Sequence, residues 1–147
     1  MKRFLLRTEA VACLLGARLA LAVFPFRRLT WLFNRPTRRP EPTDPVRQQV
    51  RREVRAAIRF GRRHSLLPTT CLHRAIAAQA MLRRRGVRAT LYYGAATLPE
   101  CGLRAHAWVK DGSSGVTGWR TARRDGYKVL ARYPADENHM DGSLFHE

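Results

Sequence analysis

Lysine is almost missing from these 147 residues, occurring only at positions 2, 110 and 128. Acidic residues are scarce as well: 11 Asp and Glu stand against 28 Lys and Arg, so the formal net charge of +17 rests almost wholly on arginine. Cysteine occurs three times, as Cys13, Cys71 and Cys101, an odd number at irregular spacing. That argues against a disulfide framework and fits a reducing cytoplasm. Metal-ligand spacing is lacking too. Cys101 and His106 are separated by four residues, and no second ligand pair accompanies them, so neither a metal nor a cofactor is expected. A long unbroken apolar run is also absent. The most apolar stretch, Met1 to Phe33, is split by Arg18, carries no small-residue cleavage site and meets Arg27 and Arg28 at its end. It therefore reads neither as a secretory signal nor as a spanning helix. No internal repeat is visible. The length admits one domain with an appended arm, and a second domain does not fit.

What is present falls into three parts: an apolar helical arm with a linker at 1–45, a folded domain at 46–134, and a polar tail at 135–147 that reads as mobile. In the arm, a helix is predicted from about Leu5 to Val23, broken near Pro25. Three roles are open to it: covering the core, docking on a partner protein, or resting on a membrane surface through residues 4–33. Four prolines between Asn34 and Pro45 make an extended linker. Asp44 then reads as a helix cap with Pro45 at the first position, and Val46, Val50, Val54, Ala57 and Ile58 recur at helical spacing. The opposite face carries Arg47, Arg51, Arg52, Arg55 and Arg59. Gly61 is the expected stop. A second helix is predicted from Cys71 to about Arg85, with Leu72, Ala75, Ile76, Ala80 and Met81 inward and Gly86 as its end. Strands are then expected at Val87–Gly94, Ala105–Lys110, Val116–Thr121 and Tyr127–Tyr133, with a hairpin at Asp111-Gly112-Ser113-Ser114-Gly115.

The chemistry concentrates in Thr69-Thr70-Cys71-Leu72-His73. A threonine hydroxyl can accept from the free N–H groups of a first helical turn, and the helix dipole there favours thiolate over thiol at Cys71. The thiolate needs a base, and 35 residues on the strand Ala105-His106-Ala107-Trp108-Val109 presents His106 on one face. Amide hydrolysis would then use Cys71 as nucleophile and His106 as base and later acid, with the Cys71 backbone N–H as one oxyanion donor. His73 reads as a surface residue. Trp108, on the face of His106, either walls a cleft or belongs to the core, and Cys13 reads as packing within the arm.

Helix with Cys, strand, strand with His, strand, strand resembles the transglutaminase-like fold: an α+β, papain-like cysteine peptidase core whose Cys-bearing helix packs on an antiparallel sheet. Within it, Cys71-Leu72-His73-Arg74-Ala75, Leu82-Arg83-Arg84-Arg85-Gly86-Val87 and Ala105-His106-Ala107-Trp108-Val109 with Asp111-Gly112 resemble the lasso-peptide leader peptidases. The apolar segment Leu21 to Leu32 and Tyr127-Lys128-Val129-Leu130 are similar to that family's arm and closing strand. The resemblance implies a cysteine protease that cuts the leader from a ribosomally made precursor peptide. It also implies two partners, a separate small leader-recognition protein and an asparagine-synthetase-like cyclase that closes the macrolactam ring. The family's pattern places an Asp or Asn roughly a dozen residues past His106, where this chain reads Val116-Thr117-Gly118-Trp119. The third catalytic member therefore stays open among Asp125, Thr117 and Asp111. The last is about five residues from His106, too remote on a regular strand at about 3.3 Å per residue. Two other classes fit the charge: a nucleic-acid-binding protein limited to nonspecific phosphate contacts, and a non-catalytic basic scaffold.

Overall fold

The computed structural model describes residues 1–35 and 37–134; the tail at 135–147 and Pro36 of the linker lie outside the described residues. Four helices come first: α1 (Lys2–Val23), α2 (Phe26–Phe33), α3 (Asp44–His64) and α4 (Cys71–Arg84). A sheet follows, made of β1 (Thr90–Leu98), β2 (Gly102–Asp111), β3 (Ser114–Thr117) and β4 (Lys128–Tyr133), with the short helix α5 (Trp119–Arg124) between the last two strands. Every strand pair is antiparallel and the order across the sheet is β3-β2-β1-β4.

Alternation along β2 decides what each face of the sheet does. Ala107 and Val109 turn toward α4 and join Leu91, Ala75, Ala78, Met81 and Leu82 in the core, while His106 and Trp108 lie on the other face. The small side chains Ala75, Ala77 and Ala78 are fully buried and let helix and sheet approach closely. Gln79, deep in this contact at 1% exposure, donates to the carbonyls of Ala89 (3.2 Å) and Tyr133 (2.7 Å). Its amide thereby satisfies two strand ends that would otherwise be buried without partners.

The arm contributes to the same core. Leu6, Ala10 and Leu14 of α1 pack with Val50, Val54, Ala57 and Ile58 of α3, and Arg85 beyond α4 pairs with Glu9. The outer side of α1 leaves Phe4, Leu5, Leu19 and Val23 exposed. Among the described residues, no helix is long and apolar enough to cross a membrane.

Several boundaries differ from those expected. Gly61 does not stop α3, which continues to His64. The glycine lies in the crossing with α1, where a Cβ would come within 2.7 Å of Leu14 Cδ1, so its small size serves packing rather than termination. Thr43, not Asp44, is the residue before the first turn of α3. The strand predicted at Val116–Thr121 ends at Thr117, because Gly118 takes a left-handed conformation (φ 71) and starts α5. Within α4, Ala80 is exposed, and Gln79 and Leu82 take inward positions instead. Gly86 does close α4: Gly86 N–H donates to Arg83 O and Val87 N–H to Leu82 O, both 3.1 Å, a Schellman arrangement that its φ of 83 permits.

Candidate active site

Cys71 opens α4, and the turn before it is built to hold it there. Thr70 Oγ1 accepts from the His73 backbone N–H at 3.4 Å, while Thr70 N–H donates to His73 Nδ1 at 3.0 Å. This is a reciprocal capping box with histidine in the usual Glu or Gln place. His73 is therefore buried rather than on the surface. Burial first, then the nearby Arg18 guanidinium, hold its pKa below the ordinary imidazole value, which keeps Nδ1 unprotonated to accept. Arg18 also donates to Pro68 O at 2.6 Å, so the arm anchors the loop that delivers Cys71.

His106 reaches the same place from β2. The β2–β3 ladder ends where Val109 faces Thr117, which leaves the β2 edge open at Ala107, and the Ala107 backbone N–H is one of the groups that favour the Cys71 thiolate. The His106 side chain likewise favours the thiolate, and both residues line one cleft. Burial pushes the Cys71 thiol up, but the bonds from His106 and Ala107, with the charges of His106 and Arg74, outweigh it and the net shift is down. For His106 burial likewise opposes charge, yet the bond to Cys71, the Gly118 carbonyl and the charge of the thiolate raise its pKa overall. Opposite shifts in an interacting pair favour thiolate and imidazolium together.

The second nitrogen of His106 is held by backbone. Nε2 lies 2.9 Å from Gly118 O; a carbonyl only accepts, so Nε2 carries a proton and Nδ1 is left for the thiol. Gly118 can present its carbonyl there because it adopts φ 71, and a Cβ on it would stand 3.0 Å from His106 Nε2 and 2.7 Å from Ala107 O. The His106 ring also lies 5.1 Å from Tyr127 and 6.0 Å from Trp108, the latter nearly parallel at 20°. Trp108 is buried and stacks in turn on Tyr92, so it backs the histidine rather than lining the open cleft.

A family model for the transglutaminase-like superfamily matches residues 11–132. The chain belongs to that superfamily. The match takes in most of α1 as well as the sheet, which agrees with an arm built into the core. No curated protein and no solved structure matches this chain.

In this transglutaminase-like domain the sequence-derived site residues are distributed unevenly. Cys71 and His106 meet at one cleft, which Thr117 and Gly118 also line. Asp111 sits at the far end of β2 with its carboxylate held by Arg47 (2.7 Å from Nε) and Arg51 (2.6 Å) of α3. Asp125 pairs with its neighbour Arg124 at 2.8 Å. Among the described residues, the hydrogen-bond partner of His106 Nε2 is the Gly118 carbonyl rather than any of the three candidates. Sequence reading missed Gly118 because a backbone oxygen leaves no residue signature; the available signal was a glycine a dozen residues past the histidine. It also missed the Ala107 N–H, and the arginines of α3, α4 and α5 that surround the cleft. No group of three or more His, Cys, Asp or Glu able to hold a metal ion occurs among the described residues.

Proposed function

We propose that the protein is a cysteine peptidase that removes the leader from a lasso-peptide precursor. Cys71 is the nucleophile and His106 the proton carrier. The Cys71 thiolate attacks the scissile carbonyl carbon, and His106 protonates the amine as the C–N bond breaks, leaving a thioester on the sulfur. Water, deprotonated by His106, then attacks the thioester, releases the new carboxyl terminus and restores the pair. The Gly118 carbonyl does the orienting work usually given to a carboxylate or amide side chain: it fixes the ring and its tautomer, though without a full negative charge behind the imidazolium. The leader is delivered by a separate recognition protein, and an asparagine-synthetase-like cyclase acts on the released core peptide.

The observation carrying this reading is Cys71 and His106 lining one open cleft as an electrostatically coupled pair, with His106 Nε2 already tied to Gly118. The lasso-peptide substrate rests on the likeness of the Cys71 and His106 segments and the arm to those peptidases. The test is mass spectrometry of a precursor peptide incubated with the protein and a leader-binding partner, beside the Cys71→Ala variant. One cut at the leader–core junction, abolished in the variant, is expected. An intact precursor under both conditions would remove the substrate assignment.

A further inference from the structure

The surroundings of Cys71 and His106 have an unusual charge. The cleft in front of them measures about 550 Å³. Among the described residues its walls carry Arg55, Arg59, Arg62 and Arg63 from α3, Arg74 from α4 and Arg120 from α5, and no Asp or Glu. Two of these arginines are spent on the frame: Arg55 donates to Val116 O (3.1 Å) and Gly115 O, and Arg74 to Thr70 O (3.3 Å). The other four are exposed, and no carboxylate of the described residues pairs with any of them.

Elsewhere among the described residues, three acids are each placed against two arginines: Asp111 with Arg47 and Arg51, Glu9 with Arg84 and Arg85, Glu41 with Arg47 and Arg88. The cleft is thus a place where positive charge is gathered with no compensating acid among the described residues. The cost shows in the arginines themselves. After burial, Arg55 is lowered chiefly by Arg120 and Arg59, and Arg74 by Arg62, so like charges are close enough to repel. An anion in the cleft relieves that repulsion and finds planar donors suited to bidentate carboxylate binding.

We propose that the cleft selects acidic peptide segments, with at least two carboxylates within about four residues of the bond presented to Cys71. The spacing supports a peptide. Arg59 and Arg62, both free of the frame, stand three residues apart on one face of α3, about 4.5 Å along the axis. An extended chain puts alternate side chains about 6.6 Å apart, so acids at alternate positions meet successive turns of α3. Nucleic acid is the weaker match. The arginines ring a concave pocket with the thiol inside it, and besides the His106 imidazole its described lining holds a single aromatic side chain, Trp119, too few for a stacking platform. The proposal rests on the peptidase reading for its placement of the reacting bond.

The test uses the full-length Cys71→Ala protein for binding and the wild type for turnover. Fluorescence anisotropy would compare three labelled probes: a decapeptide with Asp at alternate positions, the same peptide with Asn, and a single-stranded oligodeoxynucleotide of equal charge. The Asp peptide is expected to bind about tenfold or more tighter than the Asn peptide, and more weakly as salt rises. Adding Arg59→Gln and Arg62→Gln should abolish that difference, whereas Arg28→Gln, an exposed charge on α2, should leave it intact. Wild-type kcat/KM should favour the Asp peptide in the same ratio. Equal binding of the Asp and Asn peptides overturns the proposal, as does an oligonucleotide that binds more tightly and depends on the same two arginines. If the Asp peptide binds through Arg59 and Arg62 but nothing is ever cleaved, the peptidase reading fails and the acidic-peptide site stands.

Discussion

At the scale of single residues, the unusual feature is a catalytic-type imidazole held by a main-chain carbonyl. Gly118→Ala should therefore damage the site through geometry alone. It forces a side chain into a left-handed position and against His106 Nε2, at a backbone cost of about 1–2 kcal/mol. Cleavage should fall by about 100-fold or more as the ring is displaced, while the binding of a test peptide changes much less. Asp125 pairs with Arg124 and not with His106; Asp125→Ala should leave most activity, whereas His106→Ala should cost several orders of magnitude. A comparable loss from both would show that Asp125 completes the site during catalysis. The pair's pKa shifts also fix a pH profile. Cys71 is lowered and His106 raised, so the acid limb lies below the ordinary thiol range and the alkaline limb above the ordinary imidazole range, both limbs belonging to the coupled pair. Alkylation by iodoacetamide across pH reads the acid limb, where the thiolate forms, and the pH dependence of kcat/KM reads the alkaline one. In His106→Ala, burial remains while the bond and charge that lowered the thiol are gone, so the midpoint should move up.

At the scale of elements, two junctions hold the site together. Asp111, 2% exposed, ties the β2–β3 hairpin to α3 through Arg47 and Arg51. Asp111→Ala takes from Arg51 its carboxylate partner and leaves Arg47 with Glu41 alone, and should cost about 3–5 kcal/mol in a denaturant titration. Burial raises this carboxyl, but the bonds and charges of the two arginines bring it below its ordinary value. Its stabilisation is accordingly present above the ordinary carboxylate range and is lost as pH falls through the lowered folded value. The second junction is the capping box at α4. Thr70→Val should remove about 1 kcal/mol of stability and slow Cys71 alkylation, since the cap fixes the turn that presents the sulfur. These elements were unequally legible in the sequence. The apolar spacing of α3 and α4 and the alternation of β2 gave their positions, because each buries one face against a single partner. α5 was not legible: Trp119-Arg120-Thr121 reads as strand, and only the tertiary contact of Trp119 against Gly115, with Gly118 turning the chain, makes it a helix. His73 was misread for a related reason, since its cap role depends on three-residue spacing to Thr70 rather than on polarity.

At the scale of the whole molecule, α1 is structural as well as amphipathic. Leu14, 1% exposed, sits between Gly61 and the core, and Leu14→Ala should cost about 2–5 kcal/mol. The arm's sequence could not say which of its faces would be buried, because apolar residues line both; the small Ala10 and Gly61 at the crossing decide it. Charge is organised at this scale too. With +17 spread over the chain, Asp111 and Glu9 are spent at structural junctions and none of the described acids lines the cleft, which turns a composition bias into a located field around Cys71. All of this gains meaning only if the sulfur forms a bond to substrate. Intact-mass spectrometry of the protein, acid-quenched within its first turnover of an acidic precursor peptide, reads that bond. A hydroxylamine-labile adduct with the mass of the acyl fragment, mapped to Cys71 and missing from Cys71→Ala, is the expected result. Cleavage that persists in Cys71→Ala, with no adduct on the wild type, would contradict it.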